Sequence, residues 1–322
     1  MHYTTNEKYE IIRLVEQSEL GVIRTLKELK VNKTTFYNWY NAYLEKGYDG
    51  LVRKQSKVKT TWNKINPADR DTVVELALEK PELSSRELAW HITDTYSYYI
   101  SESSVYRILK ANGLITTPAF RISSASDSFK DKTTGVNQMW QTDFTYFKIV
   151  GWGWYYLSTV LDDYSRYIIH YKLCSTMKTE EVMHTIDQAQ IKANVLNNSN
   201  KPKLLSDNGS CYISNELASY LQDNNIKHVR GRPLHPQTQG KIERYHRSMK
   251  NVVKLNHYYT PNQLEKALET FVQYYNFNRY HEAINNLTPA QVYFGKDKTI
   301  IKQRNNTKIK TLNNRKKTIS KN

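Results

Sequence analysis

Apolar residues first recur at helical spacing. Between residues 7 and 46, Ile11, Leu14 and Val15 mark one stripe and Ile23, Leu26 and Leu29 a second. Phe36, Trp39, Tyr40 and Tyr43 follow at i, i+3, i+4, i+7, after the short break Lys30-Val31-Asn32. Three short helices with a tight turn before the last form a helix-turn-helix. Opposite its apolar stripe the third helix offers Lys33, Thr34, Tyr37, Asn38 and Asn41, side chains able to reach phosphates or base edges. A plain three-helix bundle has the same periodicity, so this segment alone leaves the choice open.

The pattern then repeats. Pro67 and Asp69 open a helix carrying Val73, Val74, Leu76 and Ala77, with Pro81 beyond its end. Ser84-Ser85-Arg86-Glu87 is a capped start for a helix with Leu88, Ala89 and Ile92. Ser101-Glu102-Ser103-Ser104 introduces Val105, Ile108 and Leu109, and Gly113 closes that helix. Ser104, Arg107 and Lys110 lie off its apolar stripe and are the corresponding candidates for DNA contact. Two helix-turn-helix modules in series, residues 5–50 and 65–116, argue for DNA binding more strongly than either alone. Residues 117–136 are Ser-rich and aperiodic, and read as a linker.

From Gln138 the period changes to two. Trp140–Val150, Trp154–Leu161 and Tyr167–Leu173 are aromatic and β-branched runs separated by Gly151-Trp152-Gly153 and Asp162-Asp163-Tyr164-Ser165. A helix over about 179–194, a strand Pro202–Ser206, a helix with Leu217 and Leu221, a strand near Lys227–Arg230 and a long helix from about Gly240 follow. Three strands and then alternating helix and strand predict a mixed sheet flanked by helices. The fold class is therefore multidomain: an all-α region followed by an α/β core over residues 137–296.

Composition narrows the class of function. The 322 residues carry a net charge of +16, with 39% hydrophobic and 24% charged residues, which excludes a chain disordered throughout. No apolar run approaches the roughly 18 residues of a membrane span, and the first ten residues lack a signal-peptide core. A soluble, cytoplasmic protein is expected. Cys174 and Cys211 build no disulfide framework and no CxxC knuckle, and read as small buried hydrophobes. Residues 297–322 are dominated by Lys and Arg with Asp297 alone in opposition, and read as a basic flexible tail attracting phosphate polyanions.

Three carboxylates stand where chemistry is plausible. Asp143 interrupts a β-prone run, Asp207 ends Lys203-Leu204-Leu205-Ser206 before Asn208-Gly209, and Glu243 falls in the first turns of the helix from Gly240. Convergent carboxylates suit a hard cation such as Mg²⁺, and two such ions can assist phosphodiester chemistry. On the last helix Glu243, His246, Arg247 and Lys250 share one face, while Ile242, Tyr245, Met249 and Val252 form an apolar one. Lys241, Arg244, Arg247 and Lys250 are thus candidates for DNA phosphates, although a solvated charged face would show the same spacing. Asp162 and Asp163 suit a hairpin turn, with Asp163 the candidate for a supporting role. His235 could contact DNA, orient Glu243 or make a structural hydrogen bond before Pro236.

These blocks resemble a known family. Trp140-Gln141-Thr142-Asp143, Leu205-Ser206-Asp207-Asn208-Gly209 and His235-Pro236-Gln237-Thr238-Gln239-Gly240-Lys241-Ile242-Glu243-Arg244 are similar to the three catalytic blocks of the retroviral-integrase-like DDE transposases of bacterial insertion sequences. Asp207 and Glu243 leave 35 residues between them, the spacing that names the group. Tyr275-Asn276-Phe277-Asn278-Arg279-Tyr280-His281 and Leu287-Thr288-Pro289 resemble the tail block of such transposases, and Val105–Leu114 their second helix-turn-helix.

The resemblance implies a ribonuclease H-like core whose Asp143, Asp207 and Glu243 are both catalytic and metal-binding, holding two Mg²⁺ ions or Mn²⁺ in their place. It implies a nucleoid-associated transposase that binds terminal inverted repeats, cleaves DNA and joins the freed 3′-hydroxyl to target DNA as a homodimer or higher oligomer. Two departures stand out. Residues 1–110 contain no Cys, so the retroviral zinc module is absent, and Gln239 replaces a smaller acidic or amide residue. A DNA-binding protein without catalysis and a simple metal-dependent nuclease are the rival readings. An intact set of three carboxylates argues against the first, and two DNA-reading modules against the second.

Overall fold

The computed structural model describes residues 3–52, 63–115, 133–198, 200–231 and 239–319. Most of the linker at 117–136, the basic stretch at 53–59 and His235 lie outside the described residues. The chain divides into two compact units, residues 1–61 and 62–322.

The first unit holds α1 (Thr5–Gln17), α2 (Val22–Glu28) and α3 (Lys33–Lys46). Thr4 and Glu7 form a reciprocal capping box at α1, and the Asn32 side chain accepts from the Thr34 amide at 2.9 Å to start α3. Ile12, Val15, Leu26, Val31, Phe36 and Leu51 make the core. Two of the expected stripe residues are not in it: Leu14 is half exposed and Ile23 is 66% exposed. The buried line of α1 runs through Ile12 and Val15 instead, and the seven-residue α2 buries only Thr25 and Leu26.

The second unit opens with α4 (Pro67–Glu79), α5 (Ser85–Tyr96) and α6 (Glu102–Ala111). Each start is capped from the sequence: Asn66 accepts from Asp69, Ser84 pairs with Glu87 in a capping box, and Ser101 accepts from Ser104. Gly113 ends α6 at φ +69°, a backbone conformation that costs glycine nothing. Val73, Leu76, Leu88, Ala89, Ile92, Ile100, Val105 and Leu109 close the core between the three helices.

The catalytic-type core is a five-stranded sheet in the order β3-β2-β1-β4-β5. The strands are β1 (Met139–Ile149), β2 (Gly153–Asp162), β3 (Ile168–Cys174), β4 (Lys203–Ser206) and β5 (His228–Arg230). β1, β2 and β3 pair antiparallel, while β4 and β5 run parallel to β1. Alternation along β1 and β2 divides two cores. Phe147, Ile149, Leu157 and Leu161 face α9 (Gly240–Val253) and α10 (Pro261–Phe277). Trp140, Val160 and Leu204 face α7 (Thr179–Lys192) and α8 (Asn215–Asp223). A mixed sheet between helical layers is the α/β architecture that the alternation of strands and helices predicts. Cys174 and Cys211 are free and buried.

Past α10 come α11 (Pro289–Tyr293) and α12 (Asp297–Ile319). The expected flexible tail at 297–322 is corrected here: over its described length it is a continuous helix, and Arg304 and Thr311 of it are buried. The reason is polar. Its inward line of Arg304, Thr311 and Arg315 is held by hydrogen bonds to residues of the second helix-turn-helix, a pattern with no apolar stripe to read. Among the described residues no helix is long and apolar enough to cross a membrane.

Candidate active site

The sheet register brings the segments carrying two of the carboxylates side by side. Gln141 of β1 lies opposite Leu205 of β4 at the end of the parallel ladder. Two residues further along each chain segment come Asp143, still within β1, and Asp207, just beyond the end of β4 at Ser206. Alternation places Asp143 on the same side of β1 as Phe147 and Ile149, the face covered by α9. Glu243 lies in the first turn of α9 and His246 one turn later, with its Nδ1 3.3 Å from Asp143 Oδ2. Sequence reasoning put His246 on one face with Glu243, Arg247 and Lys250 and left a solvated face as the alternative; His246 is 6% exposed. Val252, expected on the apolar face, is half exposed, and Val253 is buried in its place.

The electrostatics tie the acids together. Burial and then the neighbouring Asp143 carboxylate push Glu243 above the usual carboxylate range, against the pull of Arg247, Arg244 and His246. Burial raises the Cys211 thiol to about 11, and the charges of Asp207 and Asp143 both push it the same way. Asp207 Oδ1 accepts from the Gly209 amide at 2.8 Å. A Cβ at Gly209 would stand 3.0 Å from that same oxygen, a tight contact that the Asp207 carboxylate would have to ease by a few tenths of an ångström.

Among the described residues no three His, Cys, Asp or Glu side chains converge on a single point that would hold a metal. Asp143 faces His246, and Asp207 turns back onto its own loop. The chemistry of the donor set nonetheless suits a hard divalent cation: three carboxylates, with Glu243 raised by burial and then by the like charge of Asp143, a repulsion that a cation would relieve.

A buried polar network positions α9. Gln141 donates through Nε2 to Asp163 Oδ1 at 2.7 Å and accepts from the Ile242 amide at 3.0 Å. Thr133 donates to Asp163 Oδ2 at 2.6 Å. Lys241 Nζ donates to the same carboxylate at 2.7 Å and to the Asp163 carbonyl at 2.8 Å. Lys241, expected on DNA phosphate, is thus corrected: its ammonium pins the start of α9 to the turn after β2. Asp162 is fully buried and accepts from the Asn137 amide and from both the amide and hydroxyl of Ser165. Gln239 is also buried, its amide 3.4 Å from the Thr142 carbonyl. The only sequence signal for Gln141 was a polar residue two positions before Asp143, on the same side of the strand.

The other candidates divide by exposure. Lys33, Thr34, Tyr37, Asn38 and Asn41 all lie exposed on α3. On α6 Arg107 and Lys110 are exposed, whereas the Ser104 hydroxyl is 2.8 Å from that of Ser101 in the helix cap. Arg247 is exposed on α9, and Lys250 lies 4.8 Å over the Tyr146 ring. Arg244 folds back along its helix, its Nη2 3.5 Å from where a Cβ at Gly240 would stand.

Comparison with known proteins agrees with this architecture. Integrase core domain models match residues 133–236 and 224–289, and homeodomain-like domain models match residues 4–52 and 35–109. A putative transposase, InsK of insertion sequence element IS150 from Escherichia coli K12, is 29% identical over 50% of this chain and 56% of its own length. An uncharacterized transposase-like protein of Haemophilus influenzae is 28% identical over 49% of this chain and 71% of its own. The chain therefore spans little more than half of the first relative. The integrase catalytic core domain of HTLV-2, solved in complex with magnesium, is 22% identical over 50% of this chain and 98% of its own, with a TM-score of 0.39. The chain thus carries an integrase core domain behind homeodomain-like helix-turn-helix domains, and transposases are among its homologues.

Proposed function

We propose that the chain is a DDE-type DNA transposase, a polynucleotidyl transferase acting on the ends of an insertion sequence. The modules at 5–50 and 65–116 read the terminal inverted repeats, and the core at 137–296 cuts and joins. The observation that supports this reading is that Asp143 and Asp207 each follow by two residues the paired Gln141 and Leu205 of β1 and β4, with the charge of Asp143 felt by Glu243 on α9. Those three carboxylates would hold two Mg²⁺ ions, or Mn²⁺, which when bound supply Lewis acidity toward a phosphodiester and its attacking oxygen.

The chain's own groups do the rest. His246 orients Asp143, and Gln141, Asp163 and Lys241 fix the helix that carries Glu243. Arg247 and Lys250 take flanking phosphates. Hydrolysis frees a 3′-hydroxyl at the element end. That oxygen then forms a new bond to a target phosphorus while the target's own P–O3′ bond breaks and its 3′-oxygen takes up the proton. Two ends have to be held together for this, so the active species is a dimer or higher oligomer on double-stranded DNA.

The test uses end-labelled duplexes carrying the sequences that flank the element. Binding together with Mg²⁺-dependent nicking at the element boundary is the expected result. Binding with no nicking would favour a repressor, and nicking without preference for the ends would favour a nuclease.

A further inference from the structure

The covalent path from α6 to β1 runs through the Ser-rich, aperiodic stretch around 117–136. Contacts between domains of one chain are mobile by default unless large and apolar. Here the joint is polar, and Arg304 stands at its centre. Arg304 of α12 is 7% exposed. Its Nε and Nη2 donate to the two oxygens of Asp94 on α5 at 2.8 and 2.7 Å. Its Nη1 and Nη2 donate to the carbonyls of Asn285 and Asn286, in the loop after α10, at 3.0 and 2.9 Å.

The same guanidinium lies 4.5 Å over the Trp90 ring of α5. Tyr280 of the core donates to Asp94 at 3.3 Å. A planar, permanently charged fork with four acceptors specifies one geometry, which an ammonium would not. Farther along α12, Thr311 accepts from the Tyr99 amide at 3.0 Å, and Arg315 donates to the Tyr98 hydroxyl at 2.6 Å and the Tyr99 carbonyl at 2.8 Å. Arg86 at the start of α5 reaches the Asn286 side chain directly. All of these contacts grip α5 and the turn before α6. Arg107 and Lys110 of α6 stay exposed.

Resting on the transposase reading above, we propose that Arg304 makes α12 a ruler: it holds the second DNA-reading module at one distance and angle from Asp143, Asp207 and Glu243. The phosphodiester that is cut then lies a fixed number of base pairs from the sequence that is read. Arg304 touches neither DNA nor the reacting atoms; it is a positioning residue.

The experiment compares the full chain with Arg304→Ala and the milder Asp94→Asn on a labelled duplex carrying one element end, reading affinity and the positions of the cuts. With the ruler broken, affinity for the end is retained, the yield at the boundary falls about a hundredfold, and the remaining cuts scatter over neighbouring phosphodiesters. Asp94→Asn lies between. Equal losses in binding and cutting without scatter would mean that Arg304 only supports the fold, and would overturn the ruler. So would cutting at one unchanged phosphodiester. No cutting by the unmodified chain would contradict the transposase reading itself, and the ruler with it.

A distance measurement tests the joint without DNA. Spin labels introduced through Glu79→Cys and Glu216→Cys, both exposed positions, should give a narrow distance distribution that broadens in Arg304→Ala. An unchanged width would overturn the ruler whatever the DNA assays give.

Discussion

Asp143 has two neighbours of opposite effect. His246 Nδ1 lies 3.3 Å from it, and Glu243 carries the cost of its like charge. Lys241 is the adjoining contrast. Its ammonium is 2.7 Å from the Asp163 carboxylate, with side-chain exposures of 22% and 4%. Removing one partner of a well-buried pair costs about 3–5 kcal/mol. With Lys241 partly exposed, Lys241→Met should cost about 2 kcal/mol in urea unfolding once solvent screening is allowed for. It should leave the salt dependence of DNA binding unchanged. An unaltered stability with a shallower salt slope would return Lys241 to the phosphate role that its sequence position suggested. At this scale the acids were legible because each interrupts an apolar or glycine-bounded context. Gln141 was not, and Asp163 and His246 showed only as a supporting turn residue and as a member of the Glu243 face, because their partners lie 101, 78 and 103 positions away along the chain.

Helix starts were the most readable elements. Ser84 and Glu87 form the capping box their spacing announced, and Ser84→Ala should cost about 1 kcal/mol in thermal unfolding of the second unit. No change would mean that α5 is held by its packing alone. The strands of the sheet emerged from alternation, whereas α10 was not predicted, although Thr260 caps it and Pro261 stands in its first turn. α12 was misread for a different reason. Its inward residues are Arg304, Thr311 and Arg315, so neither a 3.6-residue hydrophobic period nor a moment marks it. Its outward face still carries Lys298, Lys302, Lys310 and Lys317, all exposed. Replacing these four by Gln should reduce the slope of log K against log salt by up to about 0.9 for each phosphate that they neutralise. An unchanged slope would show that α12 serves only as a joint.

Over the whole molecule, two partly buried histidines carry the largest part of the histidine response to acid. His281 is driven down to about 3 by burial and then by Arg279, Arg166 and Arg86. His170 is driven down to about 4 by burial and then by Lys192, His184 and Lys172. Unfolded, both return toward the ordinary 6.5. Between those values the unfolded chain binds more protons, so stability declines as pH falls from above 6.5 toward 4 and 3. The urea midpoint should drop across that window, and His281→Gln should remove part of the drop. A midpoint that rises on acidification would contradict the assignment. The order of modules along the chain was readable from periodicity, but the attachment of the second module to the core was not, since no local pattern encodes a contact between residues 94 and 304.

Asp143, Asp207 and Glu243 together stand or fall as one metal-dependent centre for strand joining. The most direct measurement is joining of a pre-cut, labelled element end to plasmid DNA in Mg²⁺ by the unmodified chain and by Asp143→Asn, Asp207→Asn and Glu243→Gln, with end binding measured on the same samples. The expected result is joining by the unmodified chain that EDTA abolishes, and that each single substitution abolishes while end binding is kept. Joining that survives in any one of the three variants would remove that residue from the centre and contradict the shared role.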